Sequence, residues 1–220
     1  MTERLRLFSY WRSSAAYRVR IGLNLKGLGY DLVPVHLLRD GGEQHHAGFR
    51  EANPQGLVPV LQHGQRMLRQ SLAILEYLDE VWPQPMLLPA TSRDRQRVRA
   101  LAQLVACDIH PLNNLRVLQY FEREWHVPQP ERDGWVRHWI TEGLAAFEAM
   151  LLDHPSTGTF CDGNVPTIAD CSLIPQLYNA RRFAIDLAPY PTIRGIEQAC
   201  LALEAFDAAR PERQPDAPAA

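Results

Sequence analysis

One change of pattern constrains this chain more than any other feature. Over residues 4–82, short strand-like runs alternate with helical ones in the order β-α-β-α-β-β-α, and beyond residue 90 the patterns are helical. The two regimes meet at Pro83-Gln84-Pro85-Met86-Leu87-Leu88-Pro89, where three prolines in seven residues read as a linker. In the first regime, residues 4–9 alternate as a strand. Residues 14–26 have helical spacing, with Ala16, Val19 and Leu23 on one side and Gly27 and Gly29 as stop signals. Residues 30–37 are β-rich, and Pro34 pushes them toward a sheet edge. A weak helix is expected over 43–51, a hairpin around His63-Gly64 from strands 57–62 and 65–69, and a strong helix over 71–81. In the second regime, helices are expected over 92–120, 134–152 and 191–203. Thr167-Ile168-Ala169-Asp170 is a capping box opening another helix, which Pro175 should kink. The tail over 210–220 reads as frayed.

A length of 220 residues fits one large domain or two small ones. An apolar fraction of 46% with 22% charge excludes a disordered chain. No apolar run approaches the roughly 18 residues of a membrane-spanning helix. Met1-Thr2-Glu3-Arg4-Leu5-Arg6 carries charge where a signal peptide needs an apolar stretch, so the expected location is cytoplasmic. A net charge of −2 provides no basic field for nucleic acid or an anionic membrane surface. Of 23 basic residues only Lys26 is lysine. Composition bias accounts for that excess simply; some of the arginines can also clamp carboxylates, which a guanidinium fork does better than an ammonium.

The four cysteines, Cys107, Cys161, Cys171 and Cys200, form no CxxC pair. Paired-CxxC zinc and a disulfide framework are set aside, and all four read as small buried apolar residues. Thiol chemistry here needs a thiol from outside the chain. His36, His45, His46 and His63 lack acidic or thiol partners at regular spacing, so no metal site is expected.

Three short segments carry candidate chemistry. In Asn53-Pro54-Gln55-Gly56-Leu57-Val58-Pro59, proline enters a central-strand pattern where it does not belong. A cis Val58-Pro59 bond would turn the chain and free the Val58 backbone to pair with a peptide laid alongside; an ordinary trans turn is the alternative. At Gln70-Ser71 a helix N-terminus offers free N–H groups to a carboxylate, unless Ser71 merely caps its own helix. Ser13 and Ser14 sit at the mouth of the first helix, where one of them should be the N-cap. A thiolate there would gain a hydroxyl hydrogen bond and the helix dipole.

Taken together, these segments resemble the zeta class of glutathione transferases, the family of maleylacetoacetate and maleylpyruvate isomerases. The resemblance runs from Leu5 to about Phe206. It rests on Ser13-Ser14-Ala15-Ala16-Tyr17-Arg18-Val19-Arg20-Ile21, which is similar to the zeta signature Ser-Ser-Cys-x-Trp-x-Val-Arg-Ile. It rests also on the Asn53–Pro59 segment, Gln70-Ser71, Asp108-Ile109-His110-Pro111-Leu112-Asn113-Asn114 and the Thr167 capping box. The family's cysteine falls at Ala15 and its tryptophan at Tyr17.

The resemblance implies a glutathione-transferase fold: an α+β thioredoxin-like, glutathione-binding domain over 1–84, then an all-α substrate domain over 91–212, assembled as a homodimer. The arginine run Arg93, Arg95, Arg97 and Arg99 is read as a face that needs partners or solvent. Glutathione is the implied cofactor, with Ser13, Ser14 and Arg12 as catalytic residues. Gln55, Val58, Gln70, Ser71, His110 and Asn114 would hold it, and Arg116, Arg181 and Arg182 would hold a small dicarboxylate substrate. His110 and Asn114 are four apart on a common helical face, which Pro111 should disturb; read alone, that histidine is as well explained as a structural residue. Arg181 and Arg182 can equally complement a helix C-terminus. The implied reaction is cis–trans isomerisation of maleylacetoacetate or maleylpyruvate by thiolate addition, rotation and elimination. Another small-electrophile transferase or dehalogenase, or a non-catalytic glutathione-binding module, is the alternative.

Overall fold

The computed structural model describes residues 4–218. It divides into two compact units. The first holds residues 4–87 together with 201–218; the second is Leu88–Cys200. The sequence boundaries of 1–84 and 91–212 differ from this division at the far end, where the chain returns to the first unit.

The first unit is built on a four-stranded mixed sheet of β1 (Leu5–Ser9), β2 (Tyr30–Pro34), β3 (Val60–His63) and β4 (Arg66–Arg69), in the order β2-β1-β3-β4. β1 runs parallel to β2, with Leu7 opposite Leu32, and antiparallel to β3, with Phe8 opposite Val60. β3 and β4 form the hairpin, turned at Gly64 with φ +58°. β2 is an edge strand and stops at Pro34. The central strand β3 starts only after Pro59, so that proline removes no ladder bond. The Val58-Pro59 peptide is cis, as is Gln84-Pro85.

Helices α1 (Ser14–Leu25) and α3 (Ser71–Val81) cover one face of the sheet. Alternate strand residues Leu5, Leu7 and Leu61 meet Val19, Leu23, Ile74 and Leu78 there. Gly22 permits the approach of the two helices, because a Cβ would collide with the Leu75 side chain. On the other face Tyr10, Val35, Phe49, Val58 and Val60 form a second cluster, with Phe49 supplied by α2 (Ala47–Ala52). The weak helix expected over 43–51 is therefore α2 preceded by a separate 3-10 turn, Glu43–His45.

The unit closes at its C-terminal segment. Asn24 Nδ2 donates to Ala205 C=O at 2.9 Å beside the short helix α9 (Glu204–Asp207). The tail is not frayed over its described length. Gln214 Nε2 donates to Ala208 C=O at 3.0 Å and Arg210 C=O at 2.8 Å, and Asp216 accepts from the Trp11 N–H. Residues 219–220 lie outside the described part.

The second unit is helical. It contains α4 (Ser92–Gln103), α5 (Leu115–Glu124), α6 (Gln129–Leu152), α7 (Ile168–Arg182) and α8 (Pro191–Leu201). The single helix expected over 92–120 is broken. α4 widens into a π turn, Leu104–Ile109, then tightens into a 3-10 turn, His110–Asn113, before Asn114 caps α5. Pro111, lacking an N–H, cannot continue the ladder.

At α7 the capping box is complete. Asp170 Oδ2 accepts the Thr167 N–H at 2.7 Å, and Oδ1 accepts the Cys161 N–H at 2.8 Å. Burial pushes the Asp170 carboxyl up, and these donors pull it back. α7 runs on through Pro175. The arginine run is no common face, since residues two apart on a helix point in different directions. Arg97 is buried, donating to Asp162 at 2.6 Å, Thr157 at 2.7 Å and Cys161 C=O at 2.8 Å. Three cysteines are buried, but Cys107 is exposed on the π turn. Among the described residues no helix is long and apolar enough to cross a membrane.

Candidate active site

β1 delivers the chain to the first candidate, Ser13. Tyr10 C=O accepts the Ser13 N–H at 2.9 Å, and Ser13 becomes the N-cap of α1 in an extended conformation. Its Oγ accepts from the Ala16 N–H at 3.2 Å. That bond occupies a lone pair and leaves the hydroxyl hydrogen to donate elsewhere, at the positive end of the helix dipole. Ser14 is the first helical residue. Ser13, Ser14 and Ala15 are half-buried, whereas the nearby phenols of Tyr10 and Tyr17 are buried, at 5% and 2% exposure. Burial pushes the Tyr17 phenol far up. The serines are therefore the hydroxyls open to a ligand at this helix mouth. The Arg12 guanidinium lies over the Trp11 ring, 5.4 Å from its centroid.

The second constellation gathers Gln55, Val58, Gln70 and Ser71. Asn53 shapes the turn leading into it: its Oδ1 accepts the Gln55 N–H at 3.2 Å and its Nδ2 donates to Leu57 C=O at 2.7 Å. Gly56 takes φ +63° in that turn, a conformation open to glycine without a Cβ penalty. Val58 follows, and its backbone lies outside the β-ladder. Gln70 Nε2 donates to Gln55 Oε1 at 2.9 Å. Gln70, not Ser71, occupies the N-cap of α3, with φ +68° and no side-chain cap bond. A non-glycine held in that region stores strain of order 1–3 kcal/mol, which is concentrated at functional positions. The first bond of α3 runs from the Ile74 N–H to Gln70 C=O at 2.9 Å, so the N–H groups before it face outward at a positive helix end.

In the second unit, His110 opens the 3-10 turn and Asn114 caps α5 by accepting from the Arg116 N–H at 3.2 Å. Their side chains do meet, with Asn114 Nδ2 3.3 Å from His110 Nε2, through the turn rather than a shared helix face. Arg116 is exposed. The two arginines ending α7 have different surroundings. Arg181 is held by Glu197 of α8 in a two-point ion pair, one bond at 2.6 Å. Arg182 donates to Asn179 Oδ1 at 2.9 Å, and Asn179 in turn donates to Asn113 Oδ1 at 3.3 Å, next to Asn114. Arg182 is thus linked to the His110–Asn114 turn, and Arg181 is engaged elsewhere.

Comparison with known proteins agrees over nearly the whole chain. The glutathione S-transferase N-terminal domain family matches residues 7–85, and the glutathione S-transferase C-terminal domain family matches residues 129–200. The chain is 52% identical over 208 residues to a maleylacetoacetate isomerase of Rhizobium meliloti, covering 94% of this chain and 96% of that protein. A holo structure of maleylpyruvate isomerase, described as a bacterial zeta-class glutathione S-transferase, superposes with a TM-score of 0.94 at 46% identity, covering 97% of this chain and all of that one. A maleylacetoacetate isomerase from Anaeromyxobacter dehalogenans, solved with glutathione in its active site, superposes at 0.87 with 49% identity and 99% coverage of each chain. The chain belongs to the zeta class of glutathione S-transferases.

Within this glutathione S-transferase, one residue beside the Gln55–Ser71 constellation belongs to none of the candidate segments' assigned roles. Arg18 is buried, 2% exposed, and donates from its guanidinium to Ser71 Oγ at 3.2 Å. It stands behind the start of α3. It orients the hydroxyl, because an oxygen accepting from Arg18 must turn its own hydrogen away. A signal was available: residues 14–26 carry apolar side chains on more than one side, so a helix with little solvent face must satisfy its arginines internally.

Proposed function

We propose that this protein is a glutathione-dependent cis–trans isomerase acting on a small cis-enedioyl acid, maleylacetoacetate or maleylpyruvate. The observation that carries the reading is the Ser13 hydroxyl, capped from behind by Ala16 and free to donate at the N-terminus of α1. The donor set suits glutathione. The Val58 backbone pairs with its cysteinyl residue, and Gln70, Ser71 and the outward N–H groups of α3 take its γ-glutamyl carboxylate, with Gln55 steadying Gln70. When bound, glutathione supplies a thiolate able to add to the alkene and to leave after rotation about the resulting single bond. Ser13 donates its proton toward the sulfur and favours the charged form. Arg12, Arg116 and Arg182 hold the carboxylates of the substrate and offset the negative charge that develops at its conjugated carbonyl. His110 and Asn114 serve as further polar contacts to glutathione. Residues 1–84 carry the glutathione-binding role and the helical region from 91 the substrate role. The protein works as a cytoplasmic homodimer in the breakdown of aromatic compounds.

The decisive experiment is a direct assay with maleylacetoacetate and maleylpyruvate, each with and without glutathione. The reading requires isomerisation of at least one of them, dependent on glutathione; no turnover of either would overturn it. Light scattering should give twice the 25.0 kDa chain mass at micromolar concentration, and a single-chain mass would remove the dimer.

Ser71→Ala should weaken glutathione binding by about 1–2 kcal/mol, the scale of a hydrogen bond to a charged group. Isothermal calorimetry reads this directly, and unchanged affinity would remove Ser71 from the site. Between the two arginines of α7, Arg182→Met should raise KM for the acid substrate by about tenfold or more, a loss of about 1.4 kcal/mol. Arg181→Met should act mainly on thermal stability, since it breaks the Glu197 pair. The opposite pattern in steady-state kinetics would reassign the substrate arginine.

A further inference from the structure

Arg20 has no part in the roles above, yet it is fully buried, at 0% exposure. Its guanidinium donates in several directions: to Ser9 Oγ at 3.1 Å, Tyr10 C=O at 3.4 Å, Trp11 C=O at 2.9 Å and Ala209 C=O at 3.0 Å. The first three acceptors belong to consecutive residues, the stretch that connects β1 to Ser13. The fourth belongs to the C-terminal segment. That segment grips the same stretch a second time, because Asp216 Oδ2 accepts the Trp11 N–H at 2.8 Å. Tyr10 C=O, held by Arg20, is also the acceptor that fixes the Ser13 N–H at 2.9 Å. The backbone around Ser13 is therefore secured by a buried arginine and by a carboxylate that lies 205 residues beyond Trp11 in sequence, and not by the sheet ladder.

We propose that the C-terminal segment 203–218 is a positioning strap for the Ser13 loop, acting through Arg20 and Asp216 on activation of the thiol and not on glutathione affinity. The proposal rests on the assignment of thiol activation to Ser13. A hydroxyl on a loop donates productively only if the loop is held to within a fraction of an ångström, and a loop outside regular pairing needs support from elsewhere. An arginine suits that task, because the N–H donors of its planar fork point outward to several separate acceptors at once. Arg20 and Asp216 are positioning residues in this scheme: they hold the backbone on the protein side of Ser13.

The test uses the full-length protein with Asp216→Ala, Asp216→Asn and Ser13→Ala. Asp216 is partly exposed, so its substitution spares the core; Asn keeps an acceptor for the Trp11 N–H. In the ligand-free protein, NMR hydrogen exchange of the Trp11 amide should quicken by about tenfold or more in Asp216→Ala and much less in Asp216→Asn. With glutathione bound, ultraviolet titration of the thiolate should shift to higher pH in Asp216→Ala. Its kcat should fall by about tenfold, with glutathione affinity within about twofold. Faster exchange with unmoved titration and kcat would overturn the proposal, leaving a structural contact only. Unchanged exchange would overturn it too, as would a loss of glutathione affinity matching the loss of kcat. Ser13→Ala separates the two levels. If it raises the titration while Asp216→Ala does not, only the strap has failed. If it leaves the titration unmoved, the Ser13 assignment has failed and the strap falls with it.

Discussion

Ser13→Ala should lower kcat by about 10²-fold or more, the effect of losing one positioned donor to a developing or existing anion. Glutathione affinity should change little, because the proposed binding contacts are at Val58 and at the start of α3. The bound thiol should titrate higher in the variant, approaching the free value of about 8.5, since a hydroxyl donating to the thiolate favours the charged form. Ser13 is also the N-cap of α1, so alanine removes a stabilising bond worth about 1 kcal/mol. Ser13→Gly separates the two effects. Glycine at an N-cap costs only a few tenths of a kcal/mol relative to serine, yet it loses the hydroxyl completely. Equal losses of kcat in the alanine and glycine variants, with unequal stabilities, are the expected result. Ser14→Ala should do less. Ala15→Cys, which restores the signature's cysteine, should keep turnover within about tenfold. Full activity in Ser13→Ala with none in Ser14→Ala would move the donor to the second serine.

What could be read in advance divides along sequence separation. The Thr167 capping box, the Gly64 hairpin and the linker prolines are signals written within a few residues, and such signals act through local backbone geometry. The first unit's strand and helix order was legible for the same reason. The break between α4 and α5 was only half legible. Pro111 warned of a disturbance, but Asn114 as a fresh N-cap is indistinguishable in sequence from an asparagine on a helix face. The arginine run misled because a sequence repeat of two does not map onto a helix face, and Arg97 turned out to be partnered inside its unit. The strap was illegible. Arg20 and Ala209 are 189 residues apart, Trp11 and Asp216 are 205, and no periodicity or motif connects them. The tail's proline and alanine content suggested fraying, and the long-range acceptor Asp216 within it, with Ala209 just before it, outweighs that composition. Likewise Arg181 and Arg182 look interchangeable until Glu197 appears from a helix that follows later in the chain.

Lys26→Met should destabilise the first unit by about 3–5 kcal/mol, the range for breaking one partner out of a buried ion pair. Lys26 is the chain's single lysine, and its side chain is completely buried where α1 ends. Its Nζ donates to Asp79 Oδ1 at 2.7 Å, Trp82 C=O at 2.6 Å and Pro85 C=O at 2.5 Å, so the three ammonium hydrogens each have an acceptor. The same Asp79 oxygen accepts the Leu87 N–H at 2.7 Å, so one carboxylate and one ammonium anchor the linker to α1 and α3. Methionine preserves the stem volume but leaves Asp79 charged, buried and short of its counterion. Arginine should not rescue, because a planar fork cannot place three hydrogens on acceptors converging at one point. In a chain that uses arginine everywhere else, that geometry is the physical reason for a lysine here. Denaturant unfolding of Lys26→Met, Asp79→Leu and the double variant reads the coupling. The double variant should recover much of the loss of Lys26→Met, because it removes the stranded charge as well. A loss below about 1 kcal/mol in Lys26→Met, the range of an exposed pair, would show that this anchor adds little to stability.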